Sequence, residues 1–82
     1  MEYTDIFNRV SRIMRKVFED PGMAVSDDIS SGDVARWNSL NHVVLIAEIE
    51  KEFGIKFGLS DVLELKTAGD ICRKIESISS PT

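Results

Sequence analysis

The sequence predicts an all-α protein, a small four-helix bundle with a long loop between helices 1 and 2 and a short third helix. Three observations support this prediction. Apolar residues recur at the spacing of one helical face in three separate stretches of the chain. That periodicity disappears between residues 20 and 37, which indicates a long connection there. The length of 82 residues suffices for one compact domain and is too short for two, so we expect a single domain over residues 1–82.

Composition and charge exclude several classes of function. Hydrophobic residues make up 43% of the chain and charged residues 29%, which is the balance of an ordinary globular protein. The formal net charge of -4 would repel a phosphate backbone, so we expect no nucleic-acid partner. The longest apolar run is the stretch 43–47, far too short to span a bilayer, so we expect no membrane insertion.

The cysteine content fits a reducing compartment. Cys72 is the only cysteine, which rules out an internal disulfide and a metal site built from several thiolates. His42 has no clustered set of further ligands, so we expect no metal site. The N-terminus lacks the pattern of a secretory signal, and we therefore expect a cytoplasmic protein. Met1 and the short tails suggest a free-standing protein, although an excised domain would look the same.

Helix 1 is predicted over residues 4–19, approximately. Thr4 stands where it could cap the start, and Asp20-Pro21-Gly22 stands where it could stop the helix. One face is apolar at helical spacing throughout, and it consists of Ile6, Phe7, Val10, Ile13, Met14, Val17 and Phe18. The following loop is acidic but carries Met23, Val25, Ile29 and Val34. We expect these four side chains to pin the loop across the bundle, because flexible linkers rarely carry such anchors.

Helix 2 is predicted over about 38–53. Asn38 or Ser39 would cap its start, and Gly54 would end it in the left-handed conformation. A short third helix is predicted over about 60–65. The last helix is predicted over about 67–78, where Thr67 and Asp70 resemble a capping box and Ile71, Cys72, Ile75 and Ile78 supply the buried face.

Helix 2 carries two apolar stripes on nearly opposite sides. At about 100° per residue, the core stripe consists of Leu45, Ile46, Ile49 and Phe53. The second stripe consists of Leu40, Val43, Val44 and Ala47, and Glu48 and Glu52 follow one seam between the two. A helix in a small bundle cannot bury both stripes. The long loop could cover the second stripe, a homodimer could bury it, or it could be an exposed docking surface with a carboxylate rim.

Ser39 at the start of helix 2 has three possible roles. A serine in this position is usually only a cap. Ser39 and His42 are helical neighbours, which would suit a nucleophile and a base, but no third group is evident to orient the histidine. His42 could instead pack against Trp37 as an imperfect hydrophobic staple. The first turn of a helix also exposes backbone N–H groups at the positive end of the dipole, so a phosphate attached there would be stabilised.

The residues from Trp37 onward resemble the acyl carrier proteins. The hallmark of that family is an Asp-Ser-Leu motif that opens the second helix of a four-helix bundle, after a long loop. Here the motif reads Trp37-Asn38-Ser39-Leu40, and it is followed by Val43-Val44-Leu45-Ile46, by Glu50-Lys51-Glu52-Phe53-Gly54-Ile55 and by Thr67 at the final helix. The tripeptide alone is weak evidence, but its position in this order of helices is specific. The resemblance covers almost the whole chain.

The resemblance implies a carrier that is not itself an enzyme. In such a carrier, Ser39 holds a covalent 4′-phosphopantetheine, which a phosphopantetheinyl transferase attaches from coenzyme A with the help of magnesium. The thiol end of this arm holds an acyl or aminoacyl group as a thioester. The further partners would be an acyl- or aminoacyl-activating ligase and condensing or acyl-transfer enzymes, and the carrier would act as a monomer. The implied partner surface consists of Asn38, Leu40, Val43, Val44, Ala47, Glu48 and Glu52.

Two departures from the family pattern affect this expectation. Asn38 replaces the usual aspartate, which in the family lies close to the metal and basic groups of the transferase, so modification could be slower here. Asn41 and Val44 stand where fatty-acid carriers often have acidic residues. A specialised route such as polyketide, nonribosomal peptide or surface-polysaccharide assembly is therefore expected rather than bulk fatty-acid synthesis. The alternative is an unmodified helical interaction module that uses the second stripe as a permanent interface.

Overall fold

The computed structural model describes residues 2–79, so Met1 and residues 80–82 of the predicted domain lie outside the described part. Four α-helices follow one another: α1 (Tyr3–Val17), α2 (Ser39–Phe53), α3 (Leu59–Glu64) and α4 (Ala68–Ser79). This confirms the predicted all-α fold with its long first loop and short third helix. The largest difference in a helix boundary is at the end of α1, which was predicted at residue 19 and lies at Val17.

The core forms where α1 packs against both α2 and α4. Each of these helices turns one apolar face inward, and the burial of this apolar surface is the main favourable term for folding. The central residues are Ile6, Val10 and Met14 of α1, Leu45, Ile46 and Ile49 of α2, and Ile71, Cys72 and Ile75 of α4. Phe53 is partly buried against this cluster. The predicted core stripe of helix 2 is therefore confirmed.

The ends of α1 differ from the prediction. Thr4 does not cap the helix, because the chain enters the helix earlier and the N-cap is Glu2, whose carbonyl accepts from the backbone N–H of Ile6. The helix stops before Asp20-Pro21-Gly22, because Glu19 adopts a left-handed φ of 54°. The N–H groups of Glu19 and Asp20 then donate to the carbonyls of Lys16 and Arg15 at 3.3 and 2.9 Å. This is a Schellman motif with glutamate in the position that glycine usually takes.

The loop between α1 and α2 crosses the bundle and is pinned to it. Met23 is buried, and Val25, Ile29 and Val34 are partly buried against the core, as predicted. The carbonyls of Ile29 and Asp27 accept from the N–H groups of Ala68 and Gly69 at 3.1 and 2.8 Å. These are two of the donors that the first turn of α4 cannot satisfy within the helix. The loop therefore completes the N-terminus of α4 and is held by it.

The start of α4 also carries the predicted capping box. The Thr67 hydroxyl accepts from the N–H of Asp70 at 3.0 Å, and the Asp70 carboxylate accepts from the N–H groups of Thr67 and Lys66, each at 3.2 Å. Burial alone would raise the pKa of Asp70, but these hydrogen bonds and Arg73 outweigh it, so that the pKa lies below its ordinary value. The aspartate thus replaces the usual glutamate without loss of the reciprocal bonding.

Candidate functional site

The N-terminus of α2 is capped by Asn38, which leaves Ser39 free. The Asn38 side-chain oxygen accepts from the backbone N–H of Asn41 at 2.8 Å. Asn41 in turn donates from its side-chain amide to the Arg36 carbonyl at 2.7 Å, which fixes the entry of the chain into the helix. Ser39 is the first helical residue, is exposed, and makes no side-chain hydrogen bond within residues 2–79. Of the two predicted caps, Asn38 is the one used.

His42 lies one turn beyond Ser39 and is held on both ring nitrogens. The Trp37 indole N–H donates to Nδ1 at 2.9 Å, and Nε2 lies 3.0 Å from the Val62 carbonyl oxygen. Since Nδ1 accepts and a carbonyl can only accept, the proton of the neutral ring is on Nε2. The rings of Trp37 and His42 also stack, with centroids 6.1 Å apart. Neither nitrogen is available to activate Ser39, which argues against the nucleophile and base pair.

A groove of about 750 Å³ opens beside Ser39, between the start of α2 and α3. Its lining is mainly apolar on the α3 side, where Leu59, Val62, Leu63 and Leu65 contribute. Trp37 and His42 line it on the α2 side, and the lining also includes the charged residue Lys66. The hydroxyl of Ser39 is therefore placed at the edge of an open, largely apolar channel. A flexible chain attached to that hydroxyl could extend into solvent or lie along the groove.

The second apolar stripe of helix 2 is exposed. Leu40, Val43 and Val44 are 72%, 60% and 41% exposed, and Ala47 is exposed as well. The long loop does not cover this stripe, so the first of the three explanations is wrong. Leu59 and Leu63 of α3 are 78% and 70% exposed and also line the groove. Apolar side chains of two helices thus face solvent on either side of the groove next to Ser39.

The two predicted rim carboxylates are bound to α1. Glu48 pairs with Lys16 at 3.0 Å, and Glu52 pairs with Arg9 at 2.8 Å. The hydrogen bond from Lys16, together with its charge, lowers the pKa of Glu48 below its ordinary value. These glutamates therefore help to hold α1 against α2 as well as border the second stripe.

The remaining candidates for reactive groups are buried or absent from the site. Cys72 is a free, fully buried thiol, and burial raises its pKa to about 12. No group of three or more histidine, cysteine or carboxylate residues that could hold a metal ion exists among residues 2–79. None of the helices in this part of the chain has the length and apolar character needed to cross a membrane.

Sequence reasoning missed the contribution of α3 to this site. Its exposed Leu59 and Leu63 were not recognised, because a six-residue helix shows too little periodicity to separate an inner from an outer face. The bond from His42 to the Val62 carbonyl joins residues 20 positions apart, so local spacing could not have indicated it. The packing of Trp37 against His42, predicted as an imperfect hydrophobic staple, is confirmed by the stacked rings, while the hydrogen bond between them was not predicted.

Comparison with known families shows which family the chain belongs to. Residues 8–75 match the family model described as "Phosphopantetheine attachment site". The chain belongs to this family, the acyl carrier proteins. A member of the family is a carrier and not itself an enzyme, and its cofactor is a covalently attached 4′-phosphopantetheine. Comparison with curated proteins gave no significant match.

The fold of this carrier also matches a solved structure. A protein from Mycobacterium tuberculosis, described as "a putative acyl carrier protein", superposes with a TM-score of 0.81 at 20% sequence identity. The match covers 89% of this chain and 97% of that one. At such low identity the likeness shows a shared fold.

The residues at the start of α2 fit the cofactor of the family. A phosphodiester needs an accessible hydroxyl, and the exposed Ser39 offers one that no other group occupies within the described residues. The adjoining groove has room for a flexible arm, and Lys66, the one charged residue that lines it within residues 2–79, has the sign that suits a phosphate.

Proposed function

We propose that Ser39 carries the 4′-phosphopantetheine and that the chain uses it to hold acyl or aminoacyl groups as thioesters for partner enzymes. The observation that supports this most strongly is that Asn38, and not Ser39, caps the helix. Asn38 accepts the N–H of Asn41 and so performs the capping that a serine at a helix start usually performs. Ser39 is left exposed, its side chain makes no hydrogen bond to any described residue, and it lies at the positive end of the helix dipole, where an attached phosphate is stabilised.

The chemistry of the carried group comes from the arm, whose terminal thiol forms a thioester with the cargo. The protein supplies a fixed point of attachment and a surface that partners recognise. Cys72 does not compete for cargo, because its thiol is buried in the core and its pKa is raised to about 12.

The partner surface is proposed to consist of the start of α2 and its second stripe. A modest apolar patch with a polar border suits partners that bind and release in turn. Its residues are Asn38, Leu40, Val43, Val44, Ala47, Glu48 and Glu52. The partners would be a phosphopantetheinyl transferase, an acyl- or aminoacyl-activating ligase and condensing or acyl-transfer enzymes. The carrier would act as a monomer in the cytoplasm, without nucleic acid and without membrane insertion.

A specialised pathway is proposed rather than bulk fatty-acid synthesis. Asn41 and Val44 are uncharged where fatty-acid carriers often have acidic residues, and the first turn of α2 holds no acidic residue. Asn41 is committed to the Arg36 carbonyl, and Val44 adds to the exposed apolar stripe. Polyketide, nonribosomal peptide or surface-polysaccharide assembly would suit such a surface.

The decisive experiment is modification by a broad-specificity transferase with coenzyme A and magnesium. The intact mass is expected to rise by one phosphopantetheine, and Ser39→Ala is expected to abolish the increase. Ser31→Ala is the matched control, because Ser31 is also exposed and lines the same groove. No adduct with any transferase, or an adduct that persists in Ser39→Ala, would refute the assignment.

The alternative is a helical interaction module that never carries the arm and buries the second stripe in a permanent interface. The exposure of Leu40 and Val43 is compatible with either function. A stable dimer at low concentration together with an unmodified Ser39 in protein from the native host would favour the alternative. A monomer with a modified Ser39 would favour the carrier.

A further inference from the structure

The short helix α3 is held in place by few contacts. It has only six residues, none of which is fully buried, and a helix of this length is not stable without tertiary contacts. Val62 packs partly against the core. Two side chains from other helices bond to α3 within the described residues. Lys74 of α4 pairs with Asp61 at 3.0 Å, and His42 of α2 bonds to the Val62 carbonyl.

The His42 bond satisfies a group that the helix itself leaves open. The Val62 carbonyl is among the last four of α3, which have no partner within a helix. The N–H of Lys66, which would reach it if the helix continued, donates instead to the Asp70 carboxylate. Because Trp37 donates to the other nitrogen of His42, the proton stays on Nε2 and points at Val62. Trp37 therefore selects the tautomer that binds α3.

We propose that His42 is a positioning residue that fixes α3 as the wall of the groove beside Ser39. The inference rests on the proposed attachment of the arm to Ser39. His42 lies three residues after Ser39 and lines the same groove as Val62 and Leu63. Both partners of this bond line the groove, so the bond connects its α2 wall to its α3 wall. With this bond in place, the arm on Ser39 meets an ordered apolar wall and is partly shielded from solvent.

The test compares two variants of the complete chain. His42→Gln keeps both hydrogen-bonding functions, because the side-chain oxygen can accept from the Trp37 indole N–H and the side-chain NH2 can donate to the Val62 carbonyl. His42→Phe keeps a flat ring to stack on Trp37 but has neither hydrogen-bonding group. In the unmodified protein, hydrogen exchange of the amides of α3 should be about five to ten times faster in His42→Phe, the effect of one lost hydrogen bond. In His42→Gln it should stay within about twofold of the natural protein.

Amides of α1 serve as the internal control, because a general loss of stability would accelerate their exchange as well. If His42→Phe does not fold, His42→Leu takes its place. Unchanged exchange of α3 in the folded variant, or a His42→Gln protein that behaves like His42→Phe, overturns the proposal. These measurements need no arm, so they decide the role of His42 even if Ser39 is never modified.

A second measurement addresses the arm itself. After modification, the thiol of the arm reacts with a soluble disulfide reagent, and the unmodified protein serves as the blank. The reaction should be at least about twofold faster in His42→Phe, because a loosened α3 shields the arm less, and His42→Gln should restore the original rate. A rate that is unchanged or slower in His42→Phe overturns the proposal. Failure of all proteins to accept the arm would instead refute the attachment to Ser39.

Discussion

Replacement of Asn38 by aspartate should strengthen the cap of α2. The aspartate keeps an oxygen for the N–H of Asn41, now bonded at 2.8 Å, and adds a negative charge to a helix start whose first turn has none. Lys66 lines the same groove and is also favourable for this charge. A carboxylate at an exposed helix N-terminus contributes about 0.3–1 kcal/mol at low ionic strength. For a domain of this size, that corresponds to a rise in melting temperature of about 1–8 °C.

Asn38→Ala is the matched loss-of-cap variant. It removes the oxygen that accepts from Asn41 and should cost about 1 kcal/mol, which lowers the melting temperature by about 4–8 °C. Circular dichroism during heating measures both variants against the natural protein. The gain from aspartate should shrink at about 1 M salt, because the site is exposed and its charge is screened. The loss in Asn38→Ala should persist, because that cap is not ionic.

The same pair of variants tests the transferase. The family resemblance implies that an aspartate before the serine lies near the metal and basic groups of that enzyme. Asn38→Asp should therefore raise kcat/KM for modification of Ser39, whereas Asn38→Ala should not. The reasoning fails if Asn38→Asp is no more stable than the natural protein at low salt, or if Asn38→Ala melts at the same temperature as the natural protein.

Three further predictions concern the packing and titration of α4. Gly69→Ala should destabilise the protein by about 1–3 kcal/mol in urea denaturation, because the new Cβ would lie 2.8 Å from the Asp27 carbonyl oxygen. Gly22→Ala is the control, because a Cβ there would have no atom within 4 Å. Equal losses of stability in the two variants would contradict the predicted clash. Because the pKa of Asp70 is lowered in the folded protein, its carboxylate stabilises the fold at neutral pH, and this contribution is lost as the pH falls below about 4. In Asp70→Asn, the free energy of unfolding should therefore decrease less between neutral pH and acid pH than in the natural protein. An equal decrease in both proteins would contradict this role of Asp70. Cys72, with its pKa near 12, should react with a thiol reagent at pH 8 about a thousandfold more slowly than a thiol of pKa 9, until denaturant exposes it. Rapid labelling of the native unmodified protein would contradict that burial.

Local patterns predicted most of the fold. The apolar spacing of α1, α2 and α4 marks their buried faces, except that Ile78, predicted to be buried, is 38% exposed near the end of α4. Gly54 ends α2 with a φ of 65°, because a residue without Cβ adopts this conformation at little cost. The end of α1 was placed two residues too late, because a glutamate in the left-handed region gives no sequence signal. Thr4 was misread as a cap for a related reason: a suitable residue near a helix start says nothing about where the backbone enters the helix.

In the candidate site as well, features that depend on one helix could be predicted, and features that depend on packing between helices could not. The exposure of Val43 and Val44 follows from one helix, and its periodicity could indicate it. Whether Asn38 or Ser39 caps that helix stayed open at the level of sequence, because both residue types are good caps; the bond from the Asn41 N–H to Asn38 decides it. The groove depends on how α3 lies against α2, which is a tertiary arrangement between segments far apart in the chain. The bond between His42 and Val62 belongs to that arrangement, so it required the structure.

The pairing of Glu48 with Lys16 and of Glu52 with Arg9 bears on how a partner enzyme would recognise this carrier. A lysine or arginine of an approaching enzyme would have to displace a cation already in place, so each exchange would give up one ion pair for another. The electrostatic gain on docking should therefore be small, and association should be slower than for carriers with unopposed carboxylates. Selectivity among enzymes would then depend mainly on how well their apolar surfaces fit α2 and α3.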